Sequence, residues 1–169
     1  MTINVTEKNI EPKKGVDLVT KKNSDIITEL KKAYADEWIA YFQYKALAKI
    51  ATGRGSFQFS KAILEISEDE EEHADELAER ITELGSEPIT DWDSINQMAN
   101  CPYPAELPDK KDLEGMAKLI LEDERCAIAV YDKIMKLTKD IDFKTFNLVM
   151  HILEEEIVHE NKMLQFLGI

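Results

Sequence analysis

This sequence predicts an all-α domain: a four-helix bundle with a long crossover between its second and third helices. Apolar residues recur at helical spacing in four long stretches, and no stretch alternates as a strand would. One pattern occurs twice. Glu37-x-x-Ala40-x-x-x-Tyr44 and Glu124-x-x-Ala127-x-x-x-Tyr131 are followed 33 and 32 residues later by Glu-x-x-His, at Glu70/His73 and Glu156/His159, so the chain reads as one half-unit used twice. Between the halves, Pro88, Pro102, Pro104 and Pro108 interrupt residues 86–109, a connection long enough to cross a bundle from end to end.

Each element has its own signals. Residues 1–23 carry Pro12, Gly15 and scattered Lys and Glu without a period, and are expected to form a mobile tail ahead of a bundle domain over residues 24–169. Ser24 is the expected N-cap of the first helix, which shows Ile27, Leu30, Tyr34, Trp38, Ile39 and Leu47 at helical intervals up to Gly53. Ser56 is placed to cap the second, with Phe59, Ile63, Ile66, His73, Leu77 and Ile81 inward and Gly85 as its stop before Pro88. Within the crossover, Trp92 to Ala99 suits one or two short helical turns. Asp109 or Asp112 starts the third helix, with Met116, Leu119, Ile120, Ala127 and Ile134 inward. Asp142 caps the fourth, with Phe146, Val149, Leu153, Ile157, Leu164 and Leu167 inward.

Helical geometry gives the repeated motif its chemistry. Residues three apart lie about 60° apart around the axis, so Glu70 with His73, and Glu156 with His159, can each share one metal ion. Residues seven apart nearly eclipse, which puts Tyr44 on the face of Glu37 and Tyr131 on that of Glu124. The breaks at Gly53–Gly55 and Lys139–Asp142 fall near the middle of each half, so antiparallel helices return the Glu and the Glu/His pair to one height. Four carboxylates and two imidazoles are the donor inventory of a dinuclear metal site in a bundle. Glu-x-x-His alone is a weak signal, because Glu68 to Glu72 is an unbroken acidic run in which some carboxylate must precede His73 by three. The second copy strengthens it, as do Glu37 and Glu124, isolated among core-type residues where an unpaired carboxylate is costly. The two tyrosine hydroxyls need partners if buried, and ligand carboxylates would serve. His151, Trp38 and Trp92 read as surface or packing residues.

The chain has 169 residues, 44% of them hydrophobic, which suits one domain with a full core. A net charge of -13 and an isoelectric point near 4.7 exclude a phosphate-binding face as the main interface and favour a cation-attracting one. The lysines of the tail are diluted by Glu7, Glu11 and Asp17, so contact with DNA is expected to be weak or absent. No apolar run spans a membrane and the first residues lack the order of a secretory signal, so a cytoplasmic protein without a membrane partner is expected. Cys101 and Cys126 form no Cys-x-x-Cys pair, which excludes rubredoxin-type and zinc-ribbon sites. They read either as reduced, buried small side chains or as a redox pair. Cys126 lies ~200° beyond Glu124 and so faces out of the bundle, and Cys101 lies in the one long connection available to cover that face; the two are expected to lie within disulfide range.

On Glu37, Glu70, His73, Glu124, Glu156 and His159 the chain resembles the ferritin-like superfamily from about residue 24 to its end, and within it the Dps-like proteins called thioferritins. Hairpin, long crossover, hairpin is the ferritin-like connectivity. The chain is similar to bacterioferritin in carrying all six ligand positions on one subunit, whereas typical Dps proteins build their site from two subunits. The resemblance implies two iron ions per subunit: Glu37 and His73 terminate one, with Glu70 bridging, and Glu124 and His159 hold the other, with Glu156 bridging. It implies no haem, because the haem methionine of bacterioferritin directly follows the first Glu of Glu-x-x-His, and Glu71 stands there. Only ten residues follow His159, too few for the fifth helix of the large ferritins. The short helix in the crossover is Dps-like, and the implied assembly is a hollow dodecamer. Cys101 and Cys126 match the thioferritin pattern, which implies a redox role for them.

The implied activity is that of a ferroxidase and iron-storage cage. Ferrous iron would be oxidised by peroxide or dioxygen at the dinuclear site and kept as ferric mineral, with protection against oxidative stress as the consequence. Two rival readings stand beside it. One is another di-metal redox enzyme of manganese-catalase or rubrerythrin-peroxidase type; the four-cysteine domain of rubrerythrin has no counterpart here, but these donors do not separate iron from manganese. The other is a DNA-protecting structural shell whose site is idle.

Overall fold

The computed structural model describes residues 23–169, so the expectation of a mobile tail falls, Asn23 apart, outside the described residues. These form helices α1 (Asn23–Ile50), α2 (Ser56–Glu83), α3 (Trp92–Met98), α4 (Leu113–Thr138) and α5 (Phe143–Leu167), with no strand among them. α1 pairs with α2 and α4 with α5; the hairpins meet through α1 on α4 and α2 on α5, and α3 lies on α1. No helix among the described residues is long and apolar enough to cross a membrane.

The helix ends are set by caps, several of them where the sequence signals them. Gly85 has φ 85°, and Ser86 N–H bonds to the Ile81 carbonyl while Gly85 N–H bonds to that of Thr82, which closes α2 in a Schellman cap. Asp91, Asp112 and Asp142 each accept a backbone N–H from the third residue onward, Ser94, Gly115 and Thr145, and so cap α3, α4 and α5. Two expectations need correction. Ser24 lies inside α1, and Ser56 is the first residue of α2, whose cap position is Gly55 at φ 88°, with no side-chain cap. A left-handed backbone there requires glycine and leaves the serine one position too late to cap.

Two apolar clusters fill the bundle. One gathers Ile26, Leu30, Leu77, Ile81, Ile134, Val149 and Ile152; the other gathers Leu47, Ile63, Ile66, Met116, Ile120 and Met163. Each fully buried aliphatic side chain contributes ~1.5–3 kcal/mol, which offsets the cost of a buried polar layer between the clusters. Arg80, itself buried, ties α2 to the start of α5: its Nη2 lies 2.8 Å from Asp142 Oδ2 and its Nε donates to Thr145 Oγ1 at 2.7 Å. On α5 the inner face is Thr145, Val149, Ile152, Glu156, His159 and Met163. Ile157, expected inward, is 42% exposed. Glu156 holds the inward position, and residue 157 lies 100° round the axis from it.

Candidate metal centre

Four helices each deliver part of one cluster in the polar layer: Glu37 from α1, Glu70 and His73 from α2, Glu124 from α4, and Glu156 and His159 from α5. All six are at most 2% exposed. The donors fall into two groups, Glu37, Glu70, His73 and Glu156, and Glu70, Glu124, Glu156 and His159; within each, one ligand atom per residue lies within 4.8 Å of every other. Glu70 and Glu156 belong to both. His73 Nδ1 is 3.2 Å from Glu70 Oε2 and 3.2 Å from Glu156 Oε1. His159 Nδ1 is 3.4 Å from Glu70 Oε1 and 3.4 Å from Glu124 Oε2. The structure thus brings together all six residues that the repeat singles out.

Such a cluster is electrostatically strained without cations. Burial, followed by the charges of Glu124 and Glu37, pushes the Glu70 carboxyl up to about 7. Burial, then Glu156, pushes Glu124 up to about 8. Burial also opposes charge on His73 and His159, but the carboxylates that surround them outweigh it and hold both imidazoles charged well above their ordinary range. Glu70 Oε1, both Glu124 oxygens, Glu156 Oε1 and His159 Nδ1 are buried without a hydrogen-bond partner. An unpartnered buried polar atom costs ~1–3 kcal/mol. These converge on one place, and two divalent cations would satisfy all of them. Oxygen donors with one imidazole per ion suit first-row metals such as ferrous or manganous ions.

Known proteins carry the same frame. The ferritin-like domain family model matches residues 27–169. The chain belongs to the ferritin-like family. It is 36% identical over 129 residues to a DNA protection during starvation protein from Pyrococcus furiosus, covering 76% of this chain and 69% of that one. A dodecameric thioferritin, the bacterioferritin-related protein of Bacteroides fragilis, superposes with a TM-score of 0.88 at 30% identity over 93% of this chain and 94% of that one. The Dps of Thermosynechococcus elongatus, 19% identical, shares the fold with a TM-score of 0.82 over 88% of this chain and 94% of its own. Within the ferritin-like family these similarities place the chain among its Dps-like members.

The second ring of contacts in this ferritin-like bundle was only partly legible. Tyr131 donates its hydroxyl to Glu37 Oε1, across the halves rather than within one. Tyr44 is equally buried, and burial, then Glu124, holds its hydroxyl far above the ordinary range. Asp69 and Glu155 are neighbours of the cluster that motif spacing misses. Glu155 Oε2 lies 2.8 Å from His73 Nε2 and Asp69 Oδ2 lies 3.0 Å from His159 Nε2, each reaching the imidazole of the opposite hairpin and leaving Nδ1 toward the centre. A signal for them exists: an acid immediately precedes each of the four clustered glutamates, as Asp36, Asp69, Asp123 and Glu155. His151 is exposed, and Trp38 packs edge-on against Trp92 with ring centroids 6.4 Å apart, as packing residues do.

The crossover is pinned beside the centre twice. Asp36 accepts from Asn100 N–H, Asn100 Nδ2 and Cys101 N–H at 2.8, 2.7 and 2.9 Å. Cys101 and Cys126 are disulfide-bonded with Cα atoms 5.9 Å apart, inside the expected range. Cys126 sits on α4 two residues after Glu124, half-buried on the outward side.

Proposed function

We propose that this ferritin-like protein is a ferroxidase and iron-storage cage: it binds two ferrous ions per chain, oxidises them with peroxide or dioxygen, and keeps the product as ferric mineral. The observation that carries this reading is the pair of overlapping donor groups with Glu70 and Glu156 common to both. Two ions held side by side by shared carboxylates supply two electrons together, the number that reduces one peroxide to water without releasing a hydroxyl radical. Glu37 and His73 terminate one ion, Glu124 and His159 the other. Tyr131 orients Glu37, while Glu155 and Asp69 fix the tautomer of the imidazoles so that Nδ1 faces the metal.

A dodecamer of about 230 kDa, from chains of 19.4 kDa, is the assembly this reading requires, supported by the dodecameric Bacteroides fragilis protein. A cytoplasmic setting suits ferrous iron as the substrate. Protection of DNA, named for the Pyrococcus furiosus relative, would come here from removal of iron and peroxide rather than from binding, since a net charge of -13 repels phosphate.

The test is Glu70→Ala combined with Glu156→Ala, which leaves each ion two donors. Rapid ferrous oxidation should disappear in stopped-flow absorbance while native mass stays near 230 kDa, because Glu70 and Glu156 are buried inside the bundle and reach no outer face. Unchanged initial oxidation rates would remove the assignment, and a native mass of a monomer or dimer in the wild-type protein would remove the cage.

A further inference from the structure

Outside the six-residue cluster two more carboxylate oxygens are closed off without a partner, Glu76 Oε2 and Asp123 Oδ2, and of these two residues only Asp123 is buried as a whole. Asp123 is 5% exposed, and its Oδ2 is closed off from solvent without a hydrogen bond. It lines a cavity of about 560 Å³ together with Glu122, Arg125, Cys126, Pro102 and Pro104. Asp123 and Cys126 are three residues apart on α4 and share one face. Cys126 Sγ is bonded to that of Cys101. Arg125 contributes a positive charge to the rim, but its Nε is 2.8 Å from Glu160 and its Nη1 is 3.6 Å from Glu122, so that charge is already neutralised.

We propose that Cys101, Cys126 and Asp123 form a second metal site that exists only when the disulfide is reduced, taking one first-row divalent cation through two thiolates and Asp123 Oδ2, with Glu122 or water in the fourth position. Cysteines whose Cα atoms are 5.9 Å apart can present both sulfurs to one ion. In a tetrahedral site with metal–sulfur bonds near 2.3 Å the sulfurs stand roughly 3.8 Å apart. The disulfide itself offers no thiolate and holds no such ion. The reductant is a dithiol. Its two thiols become its own disulfide, two electrons enter the Sγ–Sγ bond, two protons arrive on Cys101 and Cys126, and the cation then displaces those protons. Peroxide recloses the bond by taking two electrons from the two thiolates and leaving as water, and the cation, having lost both sulfurs, is released. The metal load of this outer face therefore follows thiol redox state, and nothing in it depends on iron oxidation at the six-residue centre.

Cobalt is the probe, used on the full-length protein. After reduction with a phosphine, addition of Co²⁺ should produce a thiolate-to-cobalt charge-transfer band in the near ultraviolet, saturating at one ion per chain. The six-residue centre contains no sulfur and cannot produce that band. The band should be absent from oxidised protein and from Cys126→Ser, and peroxide should abolish it with release of cobalt to a chelator. Asp123→Asn keeps the shape of the side chain and should weaken the cobalt responsible for the band by about tenfold or more, with helical content and native mass unchanged. No band in reduced wild type overturns the site. A band of undiminished affinity in Asp123→Asn overturns the role of Asp123. If a variant does not assemble, the wild-type cycle of reduction, loading and peroxide release decides on its own, and a band that persists after peroxide overturns the redox gate.

Discussion

Replacing Glu70 by Gln keeps the volume of the side chain and one acceptor oxygen but removes its charge. In the metal-free protein that charge opposes folding. The Glu70 carboxyl moves from an ordinary value of 4.5 to about 7 on folding, and at about 1.4 kcal/mol per pH unit the ionised form is disfavoured by about 3 kcal/mol. The sign follows from the raised folded value: the contribution of Glu70 is fully present below pH 4.5 and is lost as pH rises through about 7. Its contacts with His73 at 3.2 Å and His159 at 3.4 Å act on the same carboxyl and are already included in that value. Chelator-treated Glu70→Gln should therefore match wild type in acid and exceed it by about 3 kcal/mol near pH 8. Urea unfolding at fixed protein concentration measures this, since dissociation accompanies unfolding in an oligomer. Adding ferrous iron anaerobically should reverse the order. A site filled at 100 times its Kd stabilises wild type by about 2.7 kcal/mol, whereas the variant has lost a donor to both ions. A variant less stable than wild type near pH 8 without metal would refute the reasoning, because Glu70 would then be a structural ion-pair partner rather than a ligand held ready for cations.

Two further outcomes follow from buried partners. Asp142→Ala takes one of two carboxylate partners from the buried guanidinium of Arg80, which keeps Glu83, and removes the cap of α5, and should lower stability by about 2–4 kcal/mol in the same unfolding assay. Tyr131→Phe deletes the hydroxyl bonded to Glu37 and should weaken metal binding by about tenfold in anaerobic calorimetry with little change in fold, since a hydrogen bond to a charged group contributes ~1.5–3 kcal/mol.

The helices and the six clustered residues were legible because both depend on one period. A ligand face and a core face each repeat near 3.6 residues, and Glu37, Glu70, His73, Glu124, Glu156 and His159 all fall on the inward positions that this period selects. Features set by contacts between helices were not legible. Spacing places Tyr44 on the face of Glu37, yet it is Tyr131 from the other hairpin that bonds there, because antiparallel pairing brings α4 against α1. Apolarity alone places Ile157 inward, although the inward position belongs to Glu156. Asp69 was hidden in an acidic run whose members differ only in which neighbouring helix they meet.

The acids that precede the four clustered glutamates show where the two-fold of the chain holds and where it breaks. Each lies 100° round its helix from one of them. On α2 and α5 that rotation meets the imidazole of the opposite hairpin, and both halves do the same thing: Asp69 takes His159, Glu155 takes His73. On α1 and α4 it meets the crossover, of which the chain has only one. Asp36 therefore receives the N–H groups of Asn100 and Cys101, while Asp123 keeps an oxygen without a partner. Burial pushes Asp36 up to about 6 and Asp123 up to about 8. Hydrogen bonds from Asn100 and Cys101 hold Asp36 back, whereas the charges of Glu124 and Glu122 add to the effect of burial on Asp123. Asymmetry thus enters a symmetric cluster of carboxylates and imidazoles through the single connection of the chain, and it leaves the unpaired acid on the helix that also carries Cys126.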